Sequence, residues 1–414
     1  MKNSQINVIS FSRLDFSEKC LFLLHLLILV PGLLKLLMGI NARLGLSMIN
    51  PYLAAILYVV LFVFSFKAIR YNIKWWDFLV VVSLGFFCYL SPKIYPETSL
   101  AVIKFGPSFV FGTLPFYIIG ASVNIVKHND LLGTIARIGV IVNIIIALIS
   151  LLGVTNTFNV SEESMGTAYD TLPSVILVLR NQMLHPNKKD LVLTILGVFL
   201  LMSLGTRGPI MALVLFWAGS LIFLNNKSFS ITSKTFLILC AVIFIVLLEP
   251  IMELMTSLAK SFGFSTRVYE AIIGGNTIST DNRDWIYEKI FDYISSDKSN
   301  IGYGLFYDRV ILGMESYSYS HNLFYEVCLN FGIYIGGALL ILLFGVILFN
   351  IFKYRRTSGS SLYFALFCSC VVQLFFSLSY LISILFWYFI GITVSSIRRK
   401  NIKNQLIAYK NDIV

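Results

Sequence analysis

The chain has 414 residues, 57% of them hydrophobic and only 13% charged, about half the charge share of an ordinary soluble domain. Together with a mean hydropathy of +0.82, this excludes a soluble globular fold. The long unbroken apolar runs exclude a β-barrel, whose strands are short and alternating. The net charge of +11 requires no nucleic acid, because the surplus Lys and Arg collect in short loops between apolar runs.

The apolar runs predict an all-α polytopic membrane protein, a single integral membrane domain over residues 1–414. About 12 transmembrane helices are expected, near 20–40, 46–66, 76–92, 102–125, 131–153, 166–183, 190–206, 208–225, 233–252, 331–352, 361–378 and 380–397. The first run, Leu21 to Ile40, is too long for a signal-peptide core and has no small-residue cleavage site after it, so it reads as a retained span. Spans seven and eight form a hairpin whose turn, Gly205-Thr206-Arg207-Gly208-Pro209, is broken by Gly and Pro. Basic residues crowd the loops on the side of the termini, as in Lys67, Arg70 and Lys74 or Lys353, Arg355 and Arg356. The short loops opposite hold only Arg43, Lys93 and Arg207. The positive-inside rule then makes both termini cytoplasmic.

Residues 253–330 form a large extracytoplasmic loop between helices 9 and 10, with ten acidic residues against six basic ones. Ile251, Met252, Leu254, Met255, Leu258 and Phe262 fall on one helical face, as in an amphipathic helix lying at the outer interface. A second helix is expected from about Asp284 to Ser295, with Thr280 or Asp281 as its N-cap.

Of the four histidines, His25 lies in the first span, and His128 and His185 lie in cytoplasmic loops. His321, in Ser320-His321-Asn322, is therefore the one imidazole that the topology puts on the outer face, at the entrance to span ten. It can move a proton near neutral pH or donate to an anion, or it can simply be an interfacial histidine bonded to a loop carbonyl. Outer arginines are few. Arg207 sits in a tight turn beside a nascent helix N-terminus, a good place for a phosphate, and has no carboxylate next to it in sequence. Arg283 opens the loop helix but has Asp281 and Asp284 beside it, Arg309 has Asp308, and Arg267 follows the interfacial helix. Tyr169 and Asp170 fall in the outer part of span six, where an ionisable group faces either a cavity or the headgroups. The pair could bind a sugar hydroxyl. Glu326, just over one turn beyond Asn322, could orient His321. No P-loop appears, so ATP is not an expected fuel. No metal-ligand cluster appears either, and the six cysteines read as small apolar residues in or beside helices. No cofactor is expected.

The spans, the large outer loop and several short motifs resemble the bacterial O-antigen polymerase and O-antigen ligase superfamily. The stretches that carry the resemblance are Ser203-Leu204-Gly205-Thr206-Arg207-Gly208, Asn282-Arg283-Asp284-Trp285, Ile301-Gly302-Tyr303-Gly304, and Ser320-His321-Asn322 with Asn330-Phe331-Gly332. Met165 to Pro173 looks like the family's sixth span. The resemblance implies a fold like that of glycosyltransferases of the C class. It implies action on undecaprenyl-pyrophosphate-linked oligosaccharides at the outer face of the bacterial inner (cytoplasmic) membrane, without nucleotide sugar or metal. His321, Arg207 and Arg283 would then be catalytic, and Asp170, Tyr169, Asn322, Arg267 and Glu326 would bind substrate. Besides membrane lipids, a chain-length regulator and a flippase are the partners such a role implies. A polymerase of O-antigen or capsular repeat units is favoured over a ligase acting on lipid A core. Gly332 follows Asn322 at the ligase spacing, but Ile335 stands where the next glycine belongs. A flippase for lipid-linked sugars is the reading of another class. It would more often show two similar halves, which the chain lacks.

Overall fold

The computed structural model describes residues 14–43, 47–125, 128–151, 164–204, 207–223, 284–296, 301–314, 319–354 and 358–398, with five single positions between 253 and 261. All secondary structure among them is helical. Five helices are long and apolar enough to cross a membrane: Tyr52–Asn72, Trp75–Ile94, Pro96–Ser122, Asn129–Ile149 and Leu323–Lys353. The chain is accordingly a membrane protein. Predicted span nine lies outside the described residues. Of the proposed interfacial helix, Glu253, Ser257, Lys260 and Ser261 are helical and exposed.

The first predicted span departs from expectation. α1 (Phe16–Leu29) opens with a capping box in which Asp15 accepts from the Glu18 amide at 2.7 Å and Glu18 accepts from the Asp15 amide at 3.2 Å. It stops at Val30, and α2 (Gly32–Arg43) leaves at 85°. Pro31, with no N–H to continue the ladder, marks the break. What the apolar run suggested as one span is a bent pair.

α3 (Asn50–Asn72) and α4 (Trp75–Ile94) follow, joined by a two-residue link. α5 (Ser99–Pro107) continues through a widened π turn at Ser108–Thr113 into α6 (Pro115–Ser122). Then come α7 (Asn129–Leu151), α8 (Ser164–Leu184), α9 (Lys188–Ser203) and α10 (Arg207–Phe223). α8 is the least apolar of the predicted spans because it runs through the bundle, packed on α7, α9, α10 and α14 (Ser358–Cys370). α15 (Ile384–Arg398) crosses α6 in backbone contact. A Cβ on Gly120 would lie 1.9 Å from the Tyr388 carbonyl oxygen, and one on Gly391 2.1 Å from that of Tyr117. Small residues let helices approach this closely in membranes.

Polar side chains tie the helix ends at one end of the bundle. Arg398 at the end of α15 meets Asp77 at the start of α4 at 2.7 Å. Arg180 near the end of α8 donates to Ser361 at the start of α14 (2.9 Å) and to Asn129 at the start of α7. Arg137 grips Asp190 with two nitrogens, at 2.7 and 2.8 Å. N-termini of some helices thus lie beside C-termini of others.

The opposite end is organised around α13 (Leu323–Lys353). It begins eight residues before the predicted span and is interrupted at Gly332, where φ is 78° and ψ 165°. The carbonyls of Leu329 and Asn330, which a continuous helix would satisfy from four residues on, accept instead from the amides of Tyr303 (2.9 Å) and Gly304 (3.1 Å). The loop segment lies so close that a Cβ on Gly302, itself at φ +84°, would sit 2.4 Å from the Gly332 nitrogen. Leu305 then donates to Ser91 of α4 at 3.1 Å, and buried Phe306 meets Phe105 and Phe109. The loop helix forms where expected, as α11 (Asp284–Ser296). Its Ile286 and Ile290 pack with Ile311 of α12 (Tyr307–Leu312) and Leu329 of α13.

Gly302→Ala should destabilise the protein strongly, because the positive φ alone costs about 1–3 kcal/mol and the clash adds to it. Gly337→Ala, on α13 with open space around it, should be neutral or slightly stabilising. Thermal unfolding of the two variants in detergent checks the contrast.

Candidate functional site

The apolar run from Phe375 to Ile382 reads as helix, yet the structure makes it a strap. α14 ends at Cys370, a 3₁₀ turn covers Val372–Phe375, and non-helical backbone leads from there to α15. Ser377, Ser379, Tyr380 and Leu381 are all buried. Irregular backbone survives at such depth only where protein groups satisfy it, and here they do. The Glu326 carboxylate accepts from the Tyr380 amide at 3.1 Å and from the Ser379 hydroxyl. The Tyr319 hydroxyl accepts from the Leu378 amide at 3.3 Å. The Thr113 hydroxyl, in the π turn, is 2.9 Å from the Leu381 carbonyl. Asn330 donates to the Tyr380 hydroxyl at 3.0 Å.

The strap gathers several of the sequence-predicted residues at one end of the bundle. Tyr169 on α8 is buried against the first turn of α10. A Cβ on Gly208 would meet its hydroxyl at 2.1 Å and the Phe376 Cβ, at the start of the strap, at 3.0 Å. Arg207 is the first residue of α10. On the strap's other side Ser377 is 3.4 Å from the Tyr319 hydroxyl, and the Tyr319 ring lies 3.9 Å from the half-buried ring of His321. His321 takes a left-handed backbone, φ +53°, a conformation that His tolerates better than most residues. Asn322 caps α13, its side-chain oxygen accepting from the Phe324 amide at 2.9 Å.

For three of the residues singled out, the structure supplies the surroundings. Glu326 was expected to orient His321, but its oxygens hold Ser379 and Tyr380, so it anchors the strap. Asp170 faces Lys35 of α2 at 2.8 Å, so its charge has a partner that the sequence did not announce. Arg309 was read as having Asp308 beside it, and the structure buries both fully. The Arg309 guanidinium carbon lies 4.7 Å from the ring centres of both Phe105 and Tyr319. Such cation–π contacts, when desolvated, are worth about 2 kcal/mol or more. Asp308 accepts from the amides of Ser320 and Arg309, each at 3.0 Å. Burial pushes its carboxyl up from the ordinary range, against the pull of the Arg309 charge and of those amides. Arg267 and Arg283 lie outside the described residues.

Next to the strap is a cavity of about 230 Å³. Its wall is almost wholly apolar and includes Leu84, Val327, Phe331, Tyr380, Phe386 and Trp387. It therefore sits between α4, α13 and α15, beside the interruption at Gly332. Among the described residues no cluster of His, Cys, Asp or Glu could hold a metal ion. The described cysteines are free, all buried except half-buried Cys328. Sequence reasoning missed Tyr319, Asp308, Lys35, Ser379 and Tyr380. The one signal for the strap was the alternation of Ser377, Ser379 and apolar neighbours, which is not helical spacing. Compared with family models, curated proteins and solved structures, the chain matches none.

Glu326→Ala should lower the thermal midpoint clearly, since each buried donor left without an acceptor costs about 1–3 kcal/mol. Glu326→Gln, which keeps an oxygen for one of them, should lose less. Equal melting of the two variants would mean that the carboxylate does not hold the strap.

Proposed function

We propose that the protein is a polymerase that joins undecaprenyl-pyrophosphate-linked oligosaccharide repeat units into O-antigen or capsular polysaccharide. It would work at the outer face of the bacterial inner membrane, with about twelve spans in a glycosyltransferase C-like arrangement and both termini cytoplasmic. The observation that carries the reading is a juxtaposition. Tyr169, the start of α10 at Arg207-Gly208, and His321 share one end of the bundle around the strap. An almost wholly apolar cavity adjoins that end through Tyr380 and Leu323. A polar end over an apolar recess suits a substrate with a charged head and a long hydrocarbon tail.

In this reading an acceptor sugar hydroxyl attacks the anomeric carbon of the donor glycan. A new C–O bond forms, the bond from that carbon to the phosphate oxygen breaks, and pyrophosphate leaves on its lipid. Arg207 and Arg283 neutralise the charge that grows on the leaving group, usually the largest single contribution to such catalysis. His321 takes the hydroxyl proton or donates to the pyrophosphate. Asn322 and Glu326 hold the local frame.

The test uses the full-length protein in liposomes, with undecaprenyl-pyrophosphate oligosaccharide purified from cells deleted for this protein, where unpolymerised donor would accumulate. A ladder of products from wild type, reduced about 10²–10⁴-fold in His321→Ala, is the expected result. Arg207→Lys should also shorten or abolish the ladder, because lysine cannot make a forked contact to phosphate. A single product formed only with added lipid A core would make the protein a ligase. Movement of donor across the bilayer with no new glycosidic bond would make it a transporter.

A further inference from the structure

We propose that Tyr319 and Asp308 are positioning residues for His321, fixing its backbone turn and the plane of its ring. The inference rests on the reading of His321 as a residue of the reaction centre.

The two contacts act on the two residues before the histidine. Asp308 holds Ser320 by its amide at 3.0 Å, and the Ser320 hydroxyl closes the turn by donating to the Asn322 carbonyl at 3.2 Å. Between those bonds His321 has to adopt φ +53°. Its ring then lies 3.9 Å from that of Tyr319, tilted by 39°. Tyr319 cannot swing away. Its hydroxyl is engaged by Leu378 and Ser377 of the strap, and its ring carries the Arg309 guanidinium, which also rests on Phe105. Asp308 and Arg309 come from one buried turn, so the same short helix sets both the backbone and the ring. A group that moves a proton gains from being held in one orientation, and small misplacements cost large factors in rate.

The experiment measures initial rates over a range of donor concentration for full-length protein in liposomes. The variants are Tyr319→Leu, Tyr319→Phe, Asp308→Ala, Asp308→Asn and His321→Ala. Tyr319→Leu and Asp308→Ala should lower kcat tenfold or more and leave KM within twofold. Asp308→Asn keeps an oxygen for the Ser320 amide and should stay within threefold of wild type, whereas Tyr319→Phe keeps the ring but loses the hydroxyl that the strap holds, so its kcat should fall between those of wild type and Tyr319→Leu. If Tyr319→Leu keeps its kcat, or changes only KM, the inference is overturned. If Tyr319→Leu or Asp308→Ala fails to fold, the two conservative variants decide: an unchanged kcat in Tyr319→Phe, or a loss of more than tenfold in Asp308→Asn, overturns the inference. His321→Ala separates the two levels. Wild-type rates there sink the reading of the site itself, whereas a dead His321→Ala beside an active Tyr319→Leu sinks only the positioning role.

Discussion

The arrangement depends on the interruption of α13 at Gly332. Inside a membrane protein every backbone carbonyl needs a donor, and an interrupted helix leaves some without one. Here the amides of Tyr303 and Gly304 supply what the helix gives up at Leu329 and Asn330. That exchange draws the loop between 301 and 306 into the bundle, against Ser91 of α4 and the aromatic rings of Phe105 and Phe109. The start of α12 follows directly, so the position of Asp308 and Arg309 is inherited from the break. Glycine is needed on both sides of the contact, at Gly302 for φ and proximity and at Gly332 for φ.

The strap from 376 to 383 obeys the same constraint by other means. Its amides and carbonyls are met by side chains from three places: Glu326 on α13, Tyr319 before it, and Thr113 in the π turn. Widened turns of this kind are rare and recur at functional sites. Tyr380 joins the strap's polar anchorage to the cavity, since Asn330 holds its hydroxyl while the residue lines the apolar wall.

Much of the helical layout was legible in the sequence, because length and apolarity alone reveal a membrane helix. The loop helix was legible too: Asp284 to Ser295 was expected and Asp284–Ser296 is found, with Ile286 and Ile290 buried as its pattern implies. The break between α9 and α10 was legible from its Gly and Pro, but three other breaks in apolar runs escaped. The bend at Pro31, the interruption at Gly332 and the strap after Cys370 lie inside hydrophobic stretches whose composition is the same whether the backbone is helical or not. Their signals are single residues, Pro or Gly, or a run of alternating serines. The partners of Glu326 and Asp170 escaped for a different reason. Ser379, Tyr380 and Lys35 are far from them in sequence, and no local spacing announces such contacts. Tyr169 and the Arg207-Gly208 turn were singled out separately, and the structure brings them together. For Asp308 and Arg309, sequence adjacency suggested a local pair but gave no sign that the fold buries both.

That burial bears on what the Asp308–Arg309 turn is for. Taking two charges out of water is costly, and buried ion pairs are often no better for stability than apolar residues of the same size. A membrane protein with so much apolar surface at hand had cheaper ways to fill this space. What an apolar filling could not do is direct its neighbours. A leucine at 308 would give the Ser320 amide no acceptor, and one at 309 would place no cation against Tyr319. Both neighbours lead to the same residue, since Ser320 precedes His321 in the chain and Tyr319 lies against its ring. The charges are therefore better explained by the direction they impose on one imidazole than by the stability they add.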